Sequence, residues 1–324
     1  MEFRVADGRP NLTSISDFLL LEFSAVRELQ ILHFFVFLAL YLTTMIGNLL
    51  IVVLVVLDHH LHSPMYFFLL NLALMDMGTI SVTIPTSMTN SLMNSRTISY
   101  SGCVTQTFFL FFFGGSDFAL LTIMAHDRYV AICNPLQYEA IMTKGACVQM
   151  AMSAWICGVL HAVMHTSGTF TITFCSNVVD QFFCDVPKLI RLSCTDFYIV
   201  EVGLLVLSFS AVFGCFAFII TSYVSIFTAV LRILSTRGRQ KALSTCVPHL
   251  TVVSLLVFAG LFAYTKPAIN ISSDLDLVLA VIYTVFPSML NPFIYSMRNK
   301  EIRTALWTLL RQRHFPNKIP RWLL

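Results

Sequence analysis

The stretch FFLFFFGGSDFALLTIMAHDRYVAIC, residues 108–133, decides how the chain is read. Residues 108–125 carry a single charge, Asp117, and are long enough to be a membrane-crossing helix. His126, Asp127, Arg128 and Tyr129 then set an acid beside a base where the apolar run ends, and four apolar residues follow. Outward from this stretch the composition agrees. Of 324 residues, 57% are hydrophobic and 11% charged, with 29 Phe, against about 25% charged in soluble domains. Such a surface cannot be covered in water, so the chain reads as a polytopic membrane protein.

Seven stretches reach the length of a helical span: roughly 29–57, 65–90, 104–127, 146–166, 199–231, 243–265 and 275–297. The period-2 alternation of barrel strands is not seen, so helices are expected. The expected fold is an all-α membrane protein, a seven-transmembrane helix bundle. Residues 1–28 form an extracellular N-terminal tail, 29–297 the bundle and 298–324 a cytoplasmic end. The tail lacks a basic start, apolar core and small-residue cleavage site, so the first span is expected to act as its own insertion signal.

Lys and Arg counts orient the spans. With the N-terminus outside, thirteen of the twenty fall inside, including Arg128, Lys144, Arg232, Arg237, Arg239 and Lys241, as the positive-inside rule prefers. The first inner loop, DHHLHSP, departs from this with three His and no Lys or Arg. Asn11-Leu-Thr13 is a glycosylation sequon in the tail; a second, at Asn270, lies close to the membrane and is expected to go unused. Cys103, Cys175, Cys184 and Cys194 fall on the oxidising side and imply two disulfides, with three possible pairings.

A charge inside a bilayer is a functional candidate because it costs at least ~2.5 kcal/mol at mid-membrane. Asp76 and Asp117 qualify. Asp76 lies about 18 Å beyond Pro64, and Asp117 about 16 Å before Arg128, at 1.5 Å per residue. The two acids therefore sit at similar depth on neighbouring spans. Two close carboxylates do not both ionise without a counter-charge. Asn48, Ser288 and Asn291 complete an oxygen cage suited to Na⁺; a protonated, hydrogen-bonded pair is the alternative. Cys103 lies about 36 Å from Asp127 along the helix, so it marks the opposite end of that span.

Six motifs in order carry a resemblance: Gly47-Asn48, PMYFFLLNLALMD (64–76), MAHDRYVAICNPLQY (124–138), Ser222-Tyr223, KALSTCVPHL (241–250) and NPFIYSMRNKE (291–301). From about Asn11 to Arg313 the chain resembles a tetrapod odorant receptor, a rhodopsin-like G-protein-coupled receptor. The resemblance implies that Asp127 and Arg128 are an ionic-lock pair, with the Arg released on activation toward the G protein and Tyr223. It implies a helix 7 switch at Asn291, Pro292 and Tyr295, where proline breaks the hydrogen-bond ladder. It makes Asp76 a sodium acid with Asp117 as its partner. It pairs Cys103 with Cys184 and Cys175 with Cys194. It also reads residues 299–310 as a short amphipathic eighth helix on the inner membrane face. Two positions depart from the family pattern: His126 stands where Tyr is common, and Val257 where Tyr is usual.

The resemblance puts the ligand in the outer half of the bundle. On helix 3 the facing positions are Leu110, Phe111, Gly114, Gly115 and Phe118. Gly114-Gly115 costs about 1 kcal/mol each against Ala in water, and serves either ligand space or close helix packing. Other wall residues are Leu207, Ser208 and Ala211 on helix 5, then Val257, Gly260, Leu261 and Tyr264 on helix 6. Helix 7 offers Val281 and Thr284, and the long outer loop Val186. None of these is charged, so the expected ligand is small, neutral and mostly apolar, oriented by one hydrogen bond from Ser208, Thr284 or Tyr264. His161 and His165 stand near the outer end of helix 4.

The resemblance further implies a stimulatory, olfactory-type G protein as partner, raising cyclic AMP, and a plasma-membrane location in contact with lipid. An ion-coupled transporter using Asp76 and Asp117 is the alternative, but no half of the chain repeats the other. No hydrolase, metalloprotease or nucleotide-binding motif appears, so neither an enzyme nor a nucleic-acid binder is expected. No cofactor is expected beyond a bound Na⁺.

Overall fold

The computed structural model describes residues 15–24, 26–194, 199–232, 235–265, 273–298 and 300–314. Seven long helices follow one another: α1 (Arg27–Leu57), α2 (Pro64–Met93), α3 (Tyr100–Cys133), α4 (Lys144–Phe170), α5 (Ile199–Leu231), α6 (Thr236–Thr265) and α7 (Ser273–Arg298). An eighth, α8 (Lys300–His314), comes next. Six of the first seven are long and apolar enough to cross a membrane. The other, α6, holds a shorter apolar stretch, Cys246–Phe258, behind first turns that carry Arg237, Arg239 and Lys241. At about 1.5 Å per residue its 30 residues still reach across a bilayer.

Local chemistry sets several helix ends. Pro64 takes the first turn of α2, where its missing N–H costs nothing. The Ser99 hydroxyl accepts from Gly102 N at 3.1 Å and starts α3; Thr143 accepts from Ala146 N at 3.2 Å and starts α4. The sequence places the end of the third span at 127, yet α3 runs on to Cys133. Residues 130–133 are apolar and the next helix breaker is Pro135. Arg128 therefore stands inside a helix rather than just past its end.

The centre of the bundle is α3, which packs on α2, α4, α5 and α6. The α3–α4 contact is the most extensive pairing of elements among the described residues. It runs along a seam of small buried residues on α4, namely Ala151, Ala154, Gly158 and Ala162, which lets the backbones approach closely. The main core joins Leu69, Leu72, Leu120, Met124, Ile219 and Val253 from four helices.

At the Cys103 end the chain builds a cap that the sequence did not announce. Strands β1 (Asp17–Leu20), β2 (Thr97–Ser99) and β3 (Val178–Val179) form a sheet in the order β2-β1-β3. β1 runs antiparallel to β2 and parallel to β3. The tail is thereby woven between the α2–α3 and α4–α5 loops. Disulfides join Cys103 to Cys184 and Cys175 to Cys194, and the first is buried with Phe18, Val179 and Leu189. At the opposite end α8 buries Ile302 and Ala305 and leaves Trp307 72% exposed. The Tyr66 hydroxyl donates to Glu301 at 2.6 Å and ties α8 to the start of α2.

Candidate functional site

A cavity of about 160 Å³ opens between α2, α3, α6 and α7. Leu110, Gly114, Leu121, Val252 and Leu256 give it apolar walls, and Asp76, Asp117, Ser288 and Asn291 line its polar side. Residues assigned by sequence to two sites, one for ligand and one for an ion, thus share one chamber. Both carboxylates are nearly fully buried, Asp76 at 2% and Asp117 at 6% exposure. Asn291 Nδ2 donates to Asp76 Oδ2 at 2.8 Å, and the Ser288 side chain also hydrogen-bonds Asp76. Asn48 stands behind this wall and donates to the Thr44 and Ser288 carbonyls at 3.0 and 3.1 Å. Oxygens of Asn48, Asp117 and Asn291 have no partner, so this region offers acceptors in excess of donors.

The other ligand-wall residues separate into groups. Leu110, Gly114 and Thr284 line the cavity. A Cβ on Gly114 would meet nothing within 4 Å, whereas one on Gly115 would lie 3.0 Å from His161 Nδ1 and 3.4 Å from Gly158 Cα. Gly114 thus opens space and Gly115 permits helix packing. Phe111 turns to α4 and stacks on His165 at 4.4 Å between centroids. His165 Nε2 and Ser208 Oγ lie 2.7 Å apart, which engages one of the three hydroxyls expected to orient a ligand. Phe118 is partly buried away from the cavity. Leu207 is 55% exposed and Ala211 is exposed, so neither belongs to the enclosed chamber. On α6 the wall is made by Val252 and Leu256, while Val257 packs against the core. Val281 wedges beside Val285 and Phe182, and Val186 is buried in a short helical turn, Val186–Ile190. The surroundings of Gly260 and the side chains of Leu261 and Tyr264 lie outside what is described, and Asn11 and Asn270 lie outside the described residues.

Toward the Arg128 end a second constellation forms. Arg128 Nη2 is 3.0 Å from Asp127 Oδ2, and the Tyr138 hydroxyl donates to Asp127 Oδ1 at 2.7 Å. Burial, reinforced by the Asp127 carboxylate, pushes the Tyr138 phenol above its usual range, so it stays a donor. Asp127 is 1% exposed and its pair with Arg128 is largely desolvated, so removing either partner leaves a costly buried charge.

Tyr223 does not reach for Arg128 but is held by His249. The Tyr223 hydroxyl lies 2.9 Å from His249 Nδ1, and His249 Nε2 lies 2.9 Å from the Leu121 carbonyl. A carbonyl only accepts, so Nε2 carries the proton and Nδ1 accepts from Tyr223. One buried imidazole therefore strings α3, α6 and α5 together. Tyr295 is buried nearby with its hydroxyl unpartnered. Pro292 packs on α1 so closely that a Cβ on Gly47 would lie 2.9 Å from its ring. His126 is partly buried, its ring 6.1 Å from Phe218.

The sequence reading missed His249, Tyr138 and Gln106. His249 was findable, since a ring nitrogen in the apolar run of α6 needs a partner as a buried acid does. Gln106 donates to the Val82 carbonyl at 3.0 Å and accepts from Cys184 N at 2.8 Å, fastening α2, α3 and the α4–α5 loop at one point.

Comparison with known proteins gives a consistent answer. Residues 37–313 match the family described as olfactory receptor. Olfactory receptor 14I1 of Homo sapiens is 49% identical over 309 residues, covering 95% of this chain and 99% of that one. Olfactory receptor 14A16 of Homo sapiens is 48% identical over 302 residues, covering 93% and 97%. Olfactory receptor 1G1 of Gorilla gorilla gorilla is 44% identical over 309 residues, covering 94% and 99%.

Proposed function

The chain belongs to the olfactory receptor family of G-protein-coupled receptors, multi-pass membrane proteins and not enzymes, and on that premise we propose that it detects a small, neutral, mostly apolar volatile ligand and signals through an olfactory-type stimulatory G protein that raises cyclic AMP. The observation that carries this reading is the apolar-walled cavity between α2, α3, α6 and α7, joined through α3 and α6 to the Asp127–Arg128 and Tyr223–His249 contacts. The protein lies in the plasma membrane with residues 1–28 outside, 29–297 spanning and 298–324 inside, and Asn11 glycosylated. The interior basic residues face the G protein and lipid phosphates.

Activation follows as a population shift. A ligand that packs against Val252 and Leu256 favours one placement of α6. Movement of α6 draws His249 from the Leu121 carbonyl and frees the Tyr223 hydroxyl. Arg128, released from Asp127, then meets Tyr223 and the G protein, while Asn291, Pro292 and Tyr295 let α7 bend. The free oxygens of Asp117, Asn48 and Asn291 suit a hard cation. With Asp76 and Ser288 these residues would hold Na⁺, which stabilises the resting arrangement when bound.

The test is cyclic AMP in cells expressing the chain with an olfactory G protein, across a panel of neutral volatiles, with surface level measured in parallel. A dose-dependent rise is expected, and Arg128→Ala should lower it by at least about tenfold at equal surface level, a change worth ~1.4 kcal/mol of coupling. An unchanged dose response in Arg128→Ala would sink the assignment of that switch. A companion prediction concerns the resting state. His249→Ala removes the bridge that restrains Tyr223, and basal cyclic AMP is expected to rise about fivefold. Basal signalling equal to the unsubstituted receptor, at matched surface level, would remove His249 from the switch.

A further inference from the structure

We infer that residues 21–23 of the tail are a strap that closes the ligand chamber on its cap side, and that Phe23 sets how long a ligand the receptor accepts. This deepens the proposed ligand reading and rests on it. Among the residues lining the chamber, Leu110 on α3 and Thr284 on α7 stand nearest the cap. Next to them lies an apolar cluster of Phe182, Phe183, Leu277 and Ala280, against which Leu110, Leu21 and Phe23 pack. The Ala280 carbonyl accepts from the Thr284 hydroxyl at 2.7 Å, so the cluster begins where the chamber ends. Its four members are nearly fully buried. The chamber thus has a roof, built by the α4–α5 loop and α7 and backed by the tail.

The strap is pinned at its ends and lightly held between them. Leu21 N donates to the Gln181 carbonyl at 2.9 Å, and Gln30 Nε2 donates to the Ser24 carbonyl at 3.1 Å. Between these pins the Phe23 ring lies 5.1 Å from Phe37 of α1 and 5.1 Å from Phe182 of the loop. Glu22 is 3.3 Å from Arg96, whose side chain is 57% exposed, and an ion pair in water holds weakly. Strand β1 is fixed by contrast, with Phe18 fully buried, so residues 22 and 23 yield before the strand does. Behind the strap lies a second cavity of about 30 Å³, room for about one water. Glu22, His33, Asn90 and Arg96 give it a polar lining, and Phe23 and Phe182 line it too. The Phe23–Phe182 pair therefore stands between a polar vestibule and the cluster that touches Leu110. A lengthening ligand is stopped at Phe182, and Phe23 is what holds that ring in place.

The experiment uses the full receptor in cells and straight-chain alkan-1-ols of about four to ten carbons. The quantity read is the ratio of half-maximal concentrations for alcohols two carbons apart, which is independent of expression level. Phe23→Ala should shift that ratio about tenfold toward the longer alcohol, since each newly buried methylene is worth about fourfold. Phe23→Trp should shift it the other way. Leu19→Ala, in the same tail but on the exposed side of β1, should leave it unmoved. A second reading needs no ligand. In receptors carrying Leu110→Cys, a membrane-impermeant thiol reagent on intact cells should label residue 110 severalfold faster when Phe23→Ala is also present. Should Phe23→Ala not reach the surface, Phe23→Leu, which keeps an apolar side chain of smaller reach, decides by the same two readings. A length preference that the Phe23 substitutions leave unmoved, or labelling of residue 110 equally fast with Phe23 in place, overturns the strap and leaves the receptor reading standing. A surface-expressed receptor silent to the whole series overturns the ligand reading, and the labelling of residue 110 still decides the roof.

Discussion

Gly158→Val is expected to abolish surface expression, while Gly114→Ala leaves it intact. Both replace a helical glycine with a side chain that a helix tolerates. On propensity alone each change is favourable, by up to about 1 kcal/mol for Ala. The surroundings reverse the sign at Gly158. A Cβ there would run into Ser116 Oγ and come within 2.6 Å of the Phe112 carbonyl, and a backbone oxygen cannot rotate away. The α3 and α4 backbones must separate along their whole seam, and overpacking of this kind costs about 1–3 kcal/mol or more from a total of about 5–15 kcal/mol. At Gly114 the added methyl meets open space and only narrows the cavity. Epitope labelling of intact cells measures both. Gly158→Val should fall at least about tenfold below the unsubstituted receptor, with Gly114→Ala within about twofold. A normal surface level for Gly158→Val would mean that the helices are not packed as described.

That contrast also marks how far the sequence could be read. Hydropathy located the helices because the bilayer demands about 20 apolar residues from each, and α5 coincides with its expected range, 199–231. Helix rise put Asp76 and Asp117 at one depth, and both line one cavity. Rotation about the helix axis was harder. Neighbouring residues differ by about 100°, so Gly114 and Gly115 face a cavity and a helix respectively, and Leu256 lines the chamber where Val257 does not. No spacing rule settles such a choice when every face of the helix is apolar. The cap was illegible for another reason. Strands of two to four residues carry no period of their own, and β1 exists only because Thr97–Ser99 and Val178–Val179 stand on either side of it.

Cys103→Ser should remove the receptor from the cell surface more completely than Cys175→Ser does. The Cys103–Cys184 bridge closes a loop with a sequence separation of 81, the Cys175–Cys194 bridge one of 19. On the chain-entropy account the longer loop is worth about 4–5 kcal/mol and the shorter about 3 kcal/mol. The first bridge also acts where more depends on it. Cys103 and Cys184 are 0% and 1% exposed, packed among Phe18, Val179 and Leu189 from the tail and the α4–α5 loop. Beside them Cys184 N is bonded to Gln106 of α3, and the adjoining Phe182 and Phe183 press on Leu277 and Ala280 of α7. Without the bridge the loop loses its anchor over the chamber, and a lone buried Ser hydroxyl replaces a sulfur among apolar side chains. Surface labelling should therefore read near background for Cys103→Ser and for Cys184→Ser, and no lower for the pair than for either alone, since one bond is lost in each case. Partial expression is expected for Cys175→Ser. A Cys103→Ser receptor that reaches the surface as well as Cys175→Ser would show that the cap is held by β1 and the buried aromatic cluster rather than by the covalent link.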